Sequence, residues 1–389
     1  MRAAILRHLP TDGTVSYGTG RPLSIEELAA PQPRAGEVGV EIILSSLCHS
    51  DLSMVNGARL RPLPMALGHE AVGRITQLGD GVQHLTIGTK VVLVFVPSCG
   101  SCRACAAGRP ALCHRAAVSN NDGELLHGPA LLRGPGGERV NHHLGVSAFA
   151  DFSVVAAESV VPIDEDVPDE VAAMFGCAVL TGIGAIRHTA MLGAGQSVIV
   201  YGLGAVGLAA IMGAVRQGAD SIIAIDPNTN KHALALACGA TAVGTPAQAQ
   251  ELVDRATGDG VDIVIEASGF AAVIGQALDV LTRGGAVVCV GLPHPEAQLT
   301  VQALAFAGTG KRLLGSYMGD AKPAADIAFF VQAWREGRLP VQLLYTDTRP
   351  LAEINEVLDA LAEGTVIRRL LAPISHARST AGRPSPEVI

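Results

Sequence analysis

A glycine-spaced turn, Gly202-Leu203-Gly204-Ala205-Val206-Gly207, constrains this chain more than any other feature. It follows the apolar run Ser197–Tyr201 and leads into the Ala-rich stretch Ala205–Gln217. A buried strand, a tight turn and a helix in that order open a βαβ unit. In that setting Gly202 permits the turn and Gly204 lets the backbone approach a pyrophosphate. Gly207 lets helix and strand pack closely. The helix N-terminus offers free N–H groups and a positive dipole end to phosphate. Further short apolar runs, Ser221–Ile225 and residues 262–266, 286–291 and 312–314, alternate with helical stretches. This predicts an α/β fold over 179–315, a doubly wound parallel sheet of the Rossmann kind that binds a dinucleotide.

The strand after the turn runs into Asp226, nineteen residues past Gly207. A carboxylate there accepts hydrogen bonds from both ribose hydroxyls and repels a 2′-phosphate, so NAD rather than NADP is the expected cofactor. The plainer reading of Asp226 is an aspartate that starts a loop.

The chain has 389 residues, which favours two cores over one. Residues 1–178 carry short strand signals at 3–6, 38–44, 71–77, 90–96 and 151–156, separated by Pro and Gly. They predict a largely β domain with a partly open barrel. Helices near 324–336 and 351–363 and a strand at 366–372 are expected to return to that domain, which then spans 1–178 and 316–374. The Ser/Arg/Pro-rich tail 375–389 is expected to be disordered.

A net charge of −8, with no basic run, gives no electrostatic footprint for nucleic acid. The first residues do not read as a signal peptide, because Arg7 breaks the apolar run. The uncharged stretch 189–215 is long enough to span a membrane, but it contains six glycines. A buried strand followed by a glycine-packed helix explains it better.

Four of the eight cysteines, Cys99, Cys102, Cys105 and Cys113, lie within fifteen residues. Without a secretory signal this density reads as metal binding in the reducing cytoplasm. Four thiolates close a tetrahedral zinc and leave no position for substrate, so the site is structural. A reactive dithiol is the competing reading, but it would not need four sulfurs. Cys238 and Cys289 read as packing residues.

Spacing does not unite Cys48, His69 and Cys177. Taken singly, Cys48 reads as a buried apolar residue and His69 as a satisfied core histidine. Gly68-His69-Glu70, followed by Gly73, Gly79 and Val82, resembles the zinc-site signature of the medium-chain zinc alcohol dehydrogenases. Cys48-His49-Ser50-Asp51 is similar to the ligand loop before it. The four-cysteine lobe, the glycine turn and the ending 364–370 fall in the family's order. The segment with His142-His143-Leu144-Gly145 resembles the branch of liver-type alcohol dehydrogenases and glutathione-dependent formaldehyde dehydrogenase.

The resemblance covers about residues 1–373 and implies a GroES-like catalytic domain beside the Rossmann domain, with substrate in the cleft. It implies that Cys48, His69 and Cys177 hold a catalytic zinc with one position open, giving two zincs per chain. Asp51 would fix the tautomer of His69, and Glu70 would sit behind the metal. Ser50 would hydrogen-bond the substrate oxygen, and Phe95 and Thr181 would line the substrate and nicotinamide site. His49 and Arg368 would contact the pyrophosphate and Lys231 the adenosine ribose. For His49, Lys231 and Arg368 the plain alternative is surface charge. The activity implied is hydride transfer between a small alcohol or aldehyde and NAD. A homodimer is implied, with a tetramer as the alternative.

Two positions depart from the pattern. Ser53 stands where the family's relay histidine belongs, so the last step of proton exit is open. Gly57-Ala58-Arg59-Leu60-Arg61 is basic where the formaldehyde branch carries an acidic pair. A guanidinium pair repels an ammonium and attracts an anion, which argues against the glutathione adduct of formaldehyde. Solvation of a loop is the plain reading of both arginines. Two other readings stay open: a formaldehyde dehydrogenase using another thiol adduct, and a non-catalytic zinc and dinucleotide-binding relative.

Overall fold

The computed structural model describes residues 1–10 and 16–373. The expected tail 375–389 lies outside the described residues. The chain divides into two compact units.

The first unit holds residues 1–99, 114–176 and the segment from 345 onward. Its main sheet runs Thr348–Pro350, Leu370–Ala372, Glu37–Ser46, Ala71–Leu78, Lys90–Leu93, Val160–Pro162, and Phe152–Ala156 also pairs with Glu37–Ser46. Register shifts interrupt the pairing of Glu37–Ser46 with Ala71–Leu78. Such bulges add local bend and twist, which curls a sheet toward a barrel. A smaller sheet runs Leu23–Glu27, Arg2–Leu6, Met65–Ala66, Asn141–His142. The expected strands at 3–6, 38–44, 71–77, 90–96 and 151–156 are all present. Leu23–Glu27 and Thr348–Pro350 were not legible, because they are short, half-exposed and lack a clean apolar alternation. The core includes Leu6, Leu47, Met54, Met65, Phe149 and Leu358. The helix His49–Val55 packs Leu52, Met54 and Val55 into it, which anchors the loop carrying Cys48 to Asp51.

The second unit holds residues 100–113 and 177–344. Its six strands run Ala242–Gly244, Ser221–Ile225, Ser197–Tyr201, Val261–Glu266, Leu281–Cys289, Arg312–Gly315, all parallel. Numbered along the chain this is the order 3-2-1-4-5-6 of a doubly wound dinucleotide fold, whose order reverses beside Ser197–Tyr201. All five residues of that strand are buried. The uncharged stretch 189–215 resolves into this strand and the helix Ala205–Gln217. Among the described residues no helix is long and apolar enough to cross a membrane.

Residues 316–344 group with the parallel sheet, whereas the expected boundary placed everything after 315 with the β domain. The reason is a glycine contact and an ion cluster. A Cβ on Gly184 would stand 2.6 Å from the Gly319 oxygen, so only two glycines allow this approach. Asp326, on the helix Pro323–Arg335, meets Arg187 Nη1 at 2.7 Å and His188 Nε2 at 2.9 Å. The cysteine loop joins the same unit through Arg109, whose Nη2 lies 2.7 Å from Asp320 Oδ2.

Candidate metal centres and dinucleotide site

The helix His49–Val55 starts at Cys48, whose backbone N–H donates to Asp51 Oδ2 at 2.9 Å. An aspartate in the first turn satisfies an end N–H that the helix cannot. Its other oxygen, Oδ1, lies 3.0 Å from His69 Nδ1 and 3.3 Å from His143 Nδ1. Asp51 is completely buried. Burial pushes its carboxyl up, but His69 and His143 outweigh burial and hold it below the ordinary carboxylate range. Burial likewise disfavours the His69 imidazolium, yet Asp51, with Cys48, raises its basicity well above the ordinary value. A more basic imidazole is a stronger metal donor.

His69 reaches this place through Gly68, which sits at φ +95° with Phe149 N only 2.4 Å from where a Cβ would stand. Only glycine accepts both demands. Cys177 lies in a π-helical turn, Phe175–Val179, a rare conformation that marks functional positions. The preceding Gly176 lets that turn close on the strand Lys90–Leu93, since a Cβ there would meet the Leu93 oxygen at 2.2 Å.

The structure brings Cys48, His69 and Cys177 together: their donor atoms lie within 4.8 Å of one another and all three are buried. Zinc–sulfur bonds of about 2.3 Å in a tetrahedron put two sulfurs about 3.8 Å apart, so the spacing admits one zinc. Three donors leave the fourth position open. Cys99, Cys102, Cys105 and Cys113 likewise cluster within 4.8 Å. The Cys102 sulfur lies 3.5 Å from that of Cys105 and 4.0 Å from that of Cys113, astride the same tetrahedral edge. Four sulfurs fit a closed site. None of the eight cysteines is joined in a disulfide. Burial pushes the Cys238 thiol up to about 12 and that of Cys289 up to about 11, as expected of packing residues.

The other expected residues fall at several places. Ser50 Oγ lies 3.7 Å from Cys48 Sγ. The Phe95 ring stands edge-on to His69 with centroids 5.4 Å apart. Glu70 is fully buried, and its Oε2 lies 3.8 Å from Arg368 Nε. Arg368, which the resemblance directs to the pyrophosphate, is buried beside the metal donors: Nη2 donates to Cys48 Sγ at 3.1 Å. His49 is exposed, and Thr181 is buried in the helix Leu180–Gly184. Ser53 Oγ donates to the His49 carbonyl at 2.9 Å, a bond back along its own helix. Arg61 Nη1 braces Asn120 O at 2.8 Å and Asn121 Oδ1 at 2.7 Å. Two features escaped sequence reasoning: His143 beside Asp51, and Arg368 beside Cys48. The histidine pair 142–143 was visible as a motif, but nothing in the sequence ties it to residue 51.

In the glycine turn each glycine has its own reason. Gly202 has φ +91°. A Cβ on Gly207 would stand 1.9 Å from the Gly202 oxygen, whereas one on Gly204 would meet nothing within 4 Å. Gly204 is therefore free of protein contact on that side, where a phosphate can approach the helix N-terminus. Asp226 is buried at the end of the next strand, its Oδ2 accepting from Leu203 N at 2.8 Å and its Oδ1 from Asn228 N at 2.9 Å. Lys231 Nζ stands 3.4 Å from Oδ2.

Comparison with known proteins agrees with this arrangement. Residues 34–165 match the alcohol dehydrogenase GroES-like domain and residues 205–332 the zinc-binding dehydrogenase domain. The chain is 33% identical to a probable S-(hydroxymethyl)glutathione dehydrogenase of Schizosaccharomyces pombe, over 91% of this chain and 94% of that one. It is 34% identical to an alcohol dehydrogenase class-2 isozyme of Oryctolagus cuniculus, over 92% and 96%. The crystal structure of an alcohol dehydrogenase zinc-binding domain protein from Burkholderia ambifaria superposes with a TM-score of 0.89 at 31% identity, covering 95% of this chain and 98% of that one. A GroES-like domain, a buried three-donor set and a parallel-sheet dinucleotide fold together mark a zinc-dependent oxidoreductase. The chain belongs to the medium-chain zinc alcohol dehydrogenase family.

Proposed function

We propose that the protein transfers a hydride between a primary or secondary alcohol, or the matching aldehyde or ketone, and NAD, using two zinc ions per chain. The observation that carries the reading is the buried set Cys48, His69 and Cys177, which offers a metal three donors among the described residues. Zinc held there supplies Lewis acidity that favours loss of the alcohol proton near neutral pH. The second zinc, held by Cys99, Cys102, Cys105 and Cys113, is structural.

The side chains divide the remaining work. Ser50, next to Cys48, takes the hydrogen bond of the substrate hydroxyl. Asp51 keeps His69 in the tautomer that binds metal. Phe95 and Thr181 exclude water from the reacting atoms. Glu70 and Arg368 set the charge behind the metal donors. Ser53, bonded to the His49 carbonyl, does not extend the relay, and the proton leaves through Ser50 to water. Gly202, Gly204 and Gly207 take the pyrophosphate, joined by His49. Asp226 selects NAD by accepting the ribose hydroxyls, with Lys231 beside it.

A second reading, oxidation of a thiol–formaldehyde adduct, draws on the relatives named as S-(hydroxymethyl)glutathione dehydrogenases. Arg59 and Arg61 disfavour the glutathione adduct, whose ammonium would meet cations. Self-association is supported by the edge strand Arg312–Gly315, where Leu313 and nearby Leu304 are exposed. We read the assembly as a homodimer. Eight cysteines without a disulfide suit a reducing cytoplasm.

An alcohol and aldehyde panel followed by NADH absorbance, with metal analysis, tests the whole reading. Two zincs and NAD-linked turnover of simple alcohols are expected. Equal turnover of S-hydroxymethylglutathione removes the substrate claim, and a single zinc removes the catalytic site.

A further inference from the structure

We propose that His143 is a positioning residue for the catalytic metal, holding the Asp51 carboxylate that orients His69. The inference rests on the metal reading of Cys48, His69 and Cys177 and adds a residue to it. His143 is buried, and its Nδ1 lies 3.3 Å from Asp51 Oδ1, the oxygen that also faces His69 Nδ1 at 3.0 Å. Nδ1 of His143 is buried and makes no hydrogen bond among the described residues, so its 3.3 Å approach to Asp51 Oδ1 is an ion-pair contact. A buried ring nitrogen without a hydrogen bond is costly, and the carboxylate charge beside it offsets part of that cost. The two imidazole rings stand edge to face, with centroids 5.3 Å apart. Asp51 Oδ2 takes the Cys48 N–H at 2.9 Å. The carboxylate is thus gripped from three sides and cannot rotate without losing a contact.

The loop behind His143 is built to keep that ring in place. His143 N lies 3.0 Å from Ser147 Oγ and 3.2 Å from Ala66 O, and Ser147 Oγ donates to Ala66 O at 2.9 Å. Ala148 N donates to Gly68 O at 3.1 Å. Leu144 and Ser147 both adopt left-handed backbone, with φ +51° and +53°. Side-chain-bearing residues hold that conformation only where the surroundings demand it, and such places cluster at functional sites. The loop is therefore fastened to residues 66–68, the segment that delivers the ligand His69. Both partners of Asp51 ride on one scaffold. A partner behind a metal-bound histidine fixes ring direction and metal affinity.

The test uses the full-length protein with zinc itself as probe. His143→Phe keeps the ring volume and removes the donor. His143→Asn places a carboxamide donor where Nδ1 was. Zinc retention is read by competition with a chromogenic chelator, and donor geometry by the visible bands of the cobalt(II)-substituted enzyme. The Phe variant is expected to keep the four-cysteine zinc, loosen the other by about 10–100-fold and shift the cobalt bands, while Asn recovers most of both. Wild-type affinity and bands in the Phe variant overturn the proposal, and so does equal impairment in Phe and Asn, which would mean packing alone. If the Phe variant does not fold, His143→Asn against His143→Gln decides: Asn close to wild type with Gln loosened supports it, and equal behaviour overturns it. The metal reading fails separately, if the wild type holds no zinc that Cys48→Ser releases.

Discussion

Nη2 of Arg368 donates to Sγ of Cys48 at 3.1 Å, with both side chains buried. A guanidinium beside a metal-binding sulfur stabilises the thiolate that zinc requires. Arg368→Met is therefore expected to weaken retention of the zinc proposed at Cys48, His69 and Cys177 by about 10–100-fold, the range for partners of a metal ligand. Arg368→Lys should recover part of the loss, keeping charge without the planar fork. Zinc release to a chelator, with the four-cysteine zinc as internal reference, measures it. Unchanged release in both variants would show that the contact is incidental to the metal.

Gly204 and Gly207 are expected to respond oppositely to the same added methyl. A Cβ on Gly207 meets the Gly202 oxygen at 1.9 Å, so Gly207→Ala should cost about 1–3 kcal/mol of stability through overpacking. Gly204→Ala meets no protein atom within 4 Å, so thermal unfolding should stay near wild type while NADH binding weakens. Melting curves alongside NADH fluorescence titrations separate the two effects. A normal NADH affinity in Gly204→Ala would move the pyrophosphate away from this turn.

Asp226 sits at the end of the strand Ser221–Ile225, and a hydrogen bond to a charged group is worth about 1.5–3 kcal/mol. Asp226→Ser should accordingly lower kcat/KM for NAD by roughly tenfold to a hundredfold and raise that for NADP. The ratio of the two constants is the measurement. A ratio that does not move would assign Asp226 only to the loop it caps through Leu203 and Asn228.

His142 is completely buried, and burial, reinforced by Arg34 and Arg139, pushes its pKa down to about 3. Its folded value lies below the unfolded value of 6.5, so unfolding takes up a proton in the window between them. The stabilising contribution is complete above the unfolded value and is lost progressively as pH falls toward the folded one. His142→Gln should flatten the acid limb of stability by about one proton, or about 1.4 kcal/mol per pH unit. Urea unfolding at a series of pH values checks it. Parallel limbs in the two proteins would mean that His142 is not neutral in the fold.

The sequence by itself determined the parts of this protein whose physics is local. The turn 202–207, the strand before it and the helix after it could be read because the glycine spacing and the flanking apolar runs lie in one continuous stretch, and the structure places turn, strand and helix as expected. The four-cysteine loop was legible because its sulfurs lie within fifteen residues, close enough for chain connectivity to gather them. Cys48, His69 and Cys177 were reached only through resemblance, since no local pattern joins residues so far apart. Only the tertiary structure decided that His143 and His69 share one oxygen of Asp51 and that Arg368 lies against Cys48. It also decided that residues 316–344 side with the parallel sheet, through Gly184 against Gly319 and Asp326 against Arg187. The reason is the same in each case. A buried polar group takes whatever partner the packed fold brings within reach, and the cost of leaving it alone is settled between distant segments, not within one.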